Sequence, residues 1–175
     1  MKKKLTHKQL IKKLDEYFDM LSEAFNNPLD IKWVDKGDIL IGLFIAYEHV
    51  YRINCVNKGD NMWKYDFYLY DQGRNEFSPE LTGYEKDKYR VLPTVKVGLE
   101  YLDSTKSPDV IVFGATDKSR GRKKLYESFC VDFAKKNNFI FYTKMQDDKQ
   151  IFILYKNGVD RNILISKVMD IVQEK

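Results

Sequence analysis

The chain is poor in the residues that hold metals and form disulfides. Its 175 residues include two cysteines and two histidines. Cys55 and Cys130 lie in apolar patterns without the short spacing of zinc ligands, and two histidines alone do not complete a usual zinc site. We therefore predict buried, reduced thiols, no disulfide framework and no metal centre.

Long apolar runs are also missing. No segment reaches the roughly 18 consecutive apolar residues that a membrane-spanning helix needs. The first seven residues contain Lys2, Lys3 and Lys4 but lack the apolar stretch of a signal peptide. The sequence thus predicts a soluble, cytoplasmic protein with no membrane partner.

Three catalytic motifs are absent from the sequence. They are the phosphate-binding P-loop, the Gly-x-Ser-x-Gly turn of the α/β-hydrolases and the His-Glu-x-x-His pair of the zinc proteases. Asp147 and Asp148 fall in a predicted hairpin turn, where acidic residues are common for conformational reasons. These observations argue against P-loop nucleotide hydrolysis, serine-hydrolase chemistry of that type and metal catalysis.

The composition that remains is that of a globular protein with a packed core. Hydrophobic residues make up 43% of the chain and aromatic residues 14%. A chain of this length, with no repeat and no long linker, fits one domain over residues 1–175. The first predicted element is an amphipathic helix at 6–26, since apolar residues recur there at helical spacing: Leu10, Ile11, Leu14, Tyr17, Phe18, Leu21 and Phe25.

Strand-like runs follow this helix. Four of them, at 31–34, 39–47, 49–56 and 62–70, are separated by turn sequences and predict an antiparallel meander. The polar stretch 71–87 is predicted as a surface loop. The rest predicts helices at 91–102, 119–137 and 161–172, a strand at 110–115, and a hairpin of 139–144 with 151–155. This order indicates an α+β fold in which helices cover a sheet.

A basic segment opens the predicted helix at 119–137. Its first turns carry Arg120, Arg122 and Lys123, and Lys118 precedes them. Because a helix N-terminus attracts anions, these cations predict contacts with the phosphates of a ligand or of a nucleic acid. The net charge of +4 is far below that of a DNA-coating protein, and a solvated helix start is the alternative interpretation.

The order of elements resembles the GNAT acetyltransferase superfamily. Within the basic helix, Leu125-Tyr126 matches the Leu-Tyr pair of the family motif, and Ser119 and Arg122 occupy preceding motif positions. A Ser-Arg before a Leu-Tyr helix, with Thr94-Val95 upstream, also resembles uncharacterised small proteins of tailed bacteriophages. The resemblance implies a GNAT-like mixed, mainly antiparallel sheet flanked by helices, and a location in the host cytoplasm or the virion.

The GNAT resemblance also implies an acyl-CoA cofactor and roles for particular residues. Gly83, Lys88 and Arg90 would form the loop and helix start that hold the cofactor phosphates. Tyr126 would donate a proton to the departing thiolate. Glu48 or His49 would accept a proton from an amine substrate. The alternatives are that the Tyr126 ring packs in the core and that His49 is structural.

A binding protein without catalysis is the second interpretation of the whole chain. In it, the scaffold presents a surface to a protein partner or to a nucleic acid. The feature that distinguishes the two is a V-shaped cleft between parallel strands near Tyr70 and Val112, which the GNAT family uses for its cofactor. A closed sheet at that place favours the interaction protein.

Overall fold

A computed structural model describes residues 27–78, 88–116, 120–146 and 149–173. The predicted helix at 6–26, Gly83 and Lys118 lie outside these residues. The elements in chain order are β1 (Lys32–Asp35), β2 (Ile39–Ala46), β3 (His49–Asn57), β4 (Met62–Asp71), β5 (Glu76–Ser78), α1 (Lys88–Lys106), β6 (Val110–Thr116), α2 (Arg120–Asn137), β7 (Phe139–Gln146), β8 (Lys149–Lys156) and α3 (Arg161–Gln173).

The strands form one mixed sheet. Its order is β1-β2-β3-β4-β6-β8-β7, and β5 pairs with β4 outside this path. Neighbouring strands are antiparallel except for β4 and β6, which are parallel and joined through α1. The predicted α+β class and the mixed, mainly antiparallel sheet flanked by helices are confirmed.

Turn chemistry sets the register of the meander. Gly37 and Gly59 adopt φ of 80° and 92°, a region that glycine enters without steric cost. The side chain of Asp35 accepts a hydrogen bond from the Gly37 N–H, and that of Asn57 accepts one from the Gly59 N–H. Each loop therefore reverses the chain within a few residues, as the sequence predicts.

The core lies on both faces of the sheet. On what we call the inner face, α1 and α2 pack on β2, β3, β4, β6 and β8 around buried side chains that include Ile53, Tyr65, Leu99, Phe133 and Phe152. On the opposite, outer face, α3 packs on Met62, Val112 and Ile153. Because side chains alternate along a strand, the odd-numbered residues of β4 face α1 and the even-numbered ones face outward.

Two local predictions need correction. The stretch predicted as a continuous surface loop contains β5, which pairs with the end of β4. Glu48, predicted within a run of strand residues, lies in the turn between β2 and β3, after Tyr47 with its φ of 53°. Among the described residues, no helix is both long and apolar enough to cross a bilayer.

Candidate functional site

The parallel strands β4 and β6 pair over only part of their length. Met62, Trp63 and Lys64 pair with Val110, Ile111 and Val112, in that order. Beyond them β4 continues to Asp71 and β6 to Thr116, with no further pair between these two described strands. The two strands thus separate, and the space between Tyr65–Asp71 and Phe113–Thr116 is called the cleft below.

Strand β5 pairs with the last residues of β4, on the side of β4 that faces the cleft. Leu69 pairs with Tyr51 of β3 on one side and with Ser78 of β5 on the other. β5 therefore lies on the side of β4 that faces β6. Among the described strands, none pairs with Tyr65–Tyr68 on that side. A sheet interior with unpaired backbone donors and acceptors is a place where an extended ligand can bind.

Aromatic rings fill the narrow end of the cleft on the inner face. The rings of Tyr65 and Phe113 meet edge to face with 6.2 Å between centroids, and Phe113 meets Tyr126 in the same way at 6.4 Å. Phe152 stacks on Phe113 from β8 at 5.1 Å. The Tyr65 hydroxyl donates a hydrogen bond of 2.7 Å to the carbonyl of Val95 in α1. These contacts hold both strands against the helices while their backbones separate.

Tyr126 lies at this narrow end, and 9% of its surface is exposed. Burial raises the pKa of the Tyr65 hydroxyl well above its ordinary value, with smaller contributions from Cys55 and Tyr126. The ring packs in the core, as one interpretation of the sequence expects, and it also reaches the cleft. Its role as a proton donor remains a prediction.

Two helices begin at the edge where the cleft opens. Val95 contacts Tyr65 and Lys106 lies over the Trp63 ring, so α1 runs antiparallel to β4 and begins near the end of that strand. α2 follows directly after β6. Neither helix has an acidic residue in its first turn. The N-terminus of a helix is stabilised by nearby negative charge. Two helix N-termini that carry basic residues at one edge of the sheet therefore favour an anionic ligand.

The helix starts that carry the two groups of predicted cations therefore lie at one edge of the sheet. Lys88 and Arg90 lie in the first turn of α1, and Arg120, Arg122 and Lys123 lie in the first turns of α2. Sequence analysis did not foresee this convergence, because it follows from the parallel direction of β4 and β6. We call this set of helix starts the basic rim.

Glu48 and His49 lie at the same edge of the sheet but on the far side of β4 from the cleft. Glu48 is exposed in the hairpin turn, and His49 pairs with Ala46 at the start of β3. β3, on which His49 lies, pairs with the side of β4 that faces away from β6. The structure does not place either residue in the narrow part of the cleft, and their role as proton acceptors remains a prediction.

Asp66 is a cleft residue that the sequence analysis missed. It lies on β4 two positions beyond the last pair with β6, on the outer face, where it forms an ion pair of 3.2 Å with Lys64. Its charge also helps to raise the pKa of Tyr68, after the larger effect of burial. The available signal was the alternation of polar and aromatic residues in 62–70, which marks a strand with one solvated face.

Cys55 and Cys130 are both buried and unbridged, as predicted. Burial raises the pKa of each thiol, with a smaller contribution from Asp66 at Cys55 and from Glu127 at Cys130. Within the described ranges, no three His, Cys, Asp or Glu side chains converge to hold a metal ion.

Comparison with solved structures gives a likeness in fold only. No protein-family model matches the chain, and a search of curated proteins finds no match either. The structure is similar to that of a mutant of the spermidine N-acetyltransferase SpeG from Vibrio cholerae, at 9% sequence identity and a TM-score of 0.40. The match covers 81% of this chain and 73% of that chain.

Proposed function

We propose that this protein binds an acyl-CoA in the cleft and transfers the acyl group to an amine. The observation that supports this most strongly is the separation of the parallel strands after Lys64 and Val112. A separated parallel pair gives two backbone edges in the middle of a sheet, and such edges suit an extended ligand that carries amides along its length.

The described residues fit such a cofactor in three ways. The edge of Tyr65–Tyr68 can pair with an amide-containing arm. The basic rim, with Lys88 and Arg90 on one helix and Arg120, Arg122 and Lys123 on the other, can bind phosphates. The aromatic end of the cleft, around Phe113, is apolar and would exclude water from the reacting atoms.

A bound acyl-CoA supplies a thioester, whose carbonyl carbon bonds to the amine nitrogen while the C–S bond breaks. Tyr126 lies at the closed end, and its hydroxyl would give its proton to the leaving sulfur. Asp66 on β4 would accept the proton that the amine loses. His49 and Glu48 are the alternative acceptors, and they lie at the same edge of the sheet, on the far side of β4 from the cleft.

Calorimetry with acetyl-CoA and charge-reversed variants tests this proposal. Lys123 lies in the first turns of α2 and Lys135 in the last turn of the same helix. Lys123→Glu and Lys135→Glu therefore make the same charge change at opposite ends of α2. We expect wild-type protein to bind acetyl-CoA and Lys123→Glu to weaken binding about tenfold. Lys135→Glu should leave the affinity unchanged. No binding at millimolar acetyl-CoA would end the enzymatic proposal.

The basic rim also supports a second candidate function, nucleic-acid or protein binding without catalysis. Five cations at one sheet edge could contact nucleic-acid phosphates with little sequence preference. In that case oligonucleotide affinity would fall steeply with salt, and Arg120→Ala with Lys123→Ala would reduce the slope. Flat or absent binding would end this candidate. A tailed-phage origin, with a location in the host cytoplasm or virion, remains a prediction from the sequence resemblance.

A further inference from the structure

Arg52 is held between two aromatic rings on the outer face of the sheet. Its guanidinium carbon lies 4.3 Å from the centroid of the Phe77 ring and 5.1 Å from that of the Tyr68 ring. The three residues come from β3, β4 and β5, and Tyr68 is the direct cross-strand partner of Arg52. The two rings restrict the guanidinium before a ligand is present, so the Arg52 side chain loses little conformational entropy when a ligand binds.

This guanidinium has no anionic partner among the residues that the structure describes. Arg52 is half-buried, and its Nε is buried without a hydrogen-bond acceptor in the described part of the chain. No ion pair to Arg52 is formed there either, although Asp66 lies on the same face and pairs with Lys64. A buried donor without an acceptor is destabilising, and this cost is removed when an anion binds.

Arg52 contacts a residue of the cleft. Tyr68, which lies against it, belongs to the β4 stretch whose cleft edge has no strand partner among the described residues. Asp66 lies on the same face of β4, two residues nearer the narrow end, where it pairs with Lys64. The row Arg52, Tyr68 and Asp66 therefore lies along the outer face of the cleft. Tyr126 approaches the cleft from the inner face.

The charges of this row select among acceptors. Lys64, which pairs with Asp66, lies next to this row. Arg52 and Lys64 together carry two positive charges, and Asp66 carries one negative charge. Such a surface repels a polycationic amine. An acceptor with one carboxylate and one amine matches it, because a planar carboxylate pairs with the guanidinium and the amine can donate a hydrogen bond to Asp66.

We propose that Arg52, clamped by Tyr68 and Phe77, binds the carboxylate of the acceptor, so that the substrate is an amine bearing a carboxylate, such as an amino acid. That this site holds the acyl acceptor rests on the proposed acyl transfer, whereas the binding of a carboxylate to Arg52 does not. Asp66 then holds the amine at the outer side of the cleft. The acceptor and the proton donor Tyr126 approach the cleft from opposite faces.

A titration of wild-type protein tests the binding without turnover. The probes are L-alanine and L-alaninamide, which differ in the carboxylate, and the readout is the arginine Nε–H signal of Arg52 in ¹⁵N NMR spectra. We expect alanine at millimolar concentration to shift this signal and alaninamide to leave it in place. The signal of Arg74, an exposed arginine in the β4–β5 turn, is the internal control. A signal of Arg52 that responds to neither compound, or to both equally, would overturn the inference.

Transfer assays give a second, separate readout. With acetyl-CoA as donor, Arg52→Gln should lower kcat/KM for amino acids about tenfold or more and leave it unchanged for their amides. Arg74→Gln is the matched control and should change neither. Equal losses for acids and amides in Arg52→Gln would contradict carboxylate recognition. If acetyl-CoA does not bind at all, the acyl-transfer proposal fails, and the NMR titration still decides the carboxylate site.

Discussion

Tyr65 and Phe113 occupy the positions that would form the next pair of the parallel ladder, but their rings meet instead of their backbones. The ladder ends one residue earlier, at Lys64 and Val112. The ring centroids of Tyr65 and Phe113 are 6.2 Å apart, and Tyr126 packs against Phe113 from α2. These aromatic side chains give the cleft a closed, apolar end.

A pair of Tyr→Phe variants separates structure from chemistry at this end. Tyr65→Phe removes a hydrogen bond to the Val95 carbonyl and should lower the free energy of unfolding by about 1 kcal/mol without loss of acetyl transfer. Tyr126→Phe should reduce kcat at least about 100-fold and leave the affinity for acetyl-CoA unchanged. Urea unfolding and thiol-release assays measure the two effects. Full activity in Tyr126→Phe would remove this residue from the mechanism.

The close approach of α1 to the sheet depends on Gly98. A Cβ at this position would lie 2.5 Å from Ile53 Cδ1 and 2.7 Å from the Tyr65 hydroxyl, both buried. We expect Gly98→Ala to lower the free energy of unfolding by about 2 kcal/mol, because overpacking outweighs the better helix propensity of alanine. The control is Gly114→Ala, whose Cβ would meet Ile151 at an ordinary 3.7 Å. A stability gain in Gly98→Ala would show that α1 can move away from the sheet.

Much of this architecture was predictable from the sequence. Turn residues such as Gly37 and Gly59 and the apolar periodicity indicated the meander, the three later helices and the final hairpin. The separation of β4 and β6 was not predictable from periodicity, which assigns a residue to a face but not to a register across a crossover. Whether Tyr65 and Phe113 meet depends on where a ladder ends, between residues far apart in the chain.

The Arg52 row was missed for the same reason. Arg52, Tyr68 and Phe77 belong to three strands, and only the observed register brings them together. The alternation in β3 and β4 marks their outward side, but it does not indicate which side chains become neighbours. Conversely, Lys88 and Arg120 were predicted as anion contacts, while the start of α1 and α2 at one edge of the sheet required the topology.

Titration of Tyr68 tests the electrostatics of the outer row. Burial raises the pKa of Tyr68 to about 12, Asp66 adds to the increase, and Arg52 opposes it. The neutral phenol is therefore favoured in the folded state, so its contribution to stability is complete below about pH 10 and is lost as the pH rises through about 12.

Two variants should shift this titration in opposite directions. Asp66→Asn removes a negative charge and should lower the pKa of Tyr68, whereas Arg52→Gln removes a positive charge and should raise it. Tyrosine-selective ¹³C NMR follows the ring signal, and Tyr68→Phe assigns it. Shifts of the same sign in both variants would mean that the three side chains are not neighbours.

The two thiols should resist modification in the folded protein. Cys55 and Cys130 are fully buried, and burial raises both pKa values, so little thiolate is available for attack. We expect no reaction with Ellman's reagent at neutral pH and reaction of both thiols in urea. Rapid modification of either thiol in native buffer would mean that the core around it opens.

The central claim is that the cleft between β4 and β6 binds an acyl-CoA, and amide-shift mapping with coenzyme A tests it most directly. In ¹⁵N-labelled protein, we predict that the largest shifts fall on Tyr65–Tyr68, on Phe113–Thr116 and on the first turns of α1 and α2. Residues 161–173 of α3 should not respond. Shifts that avoid the cleft, or no shifts at millimolar coenzyme A, would contradict the claim and favour a protein that binds its partner without catalysis.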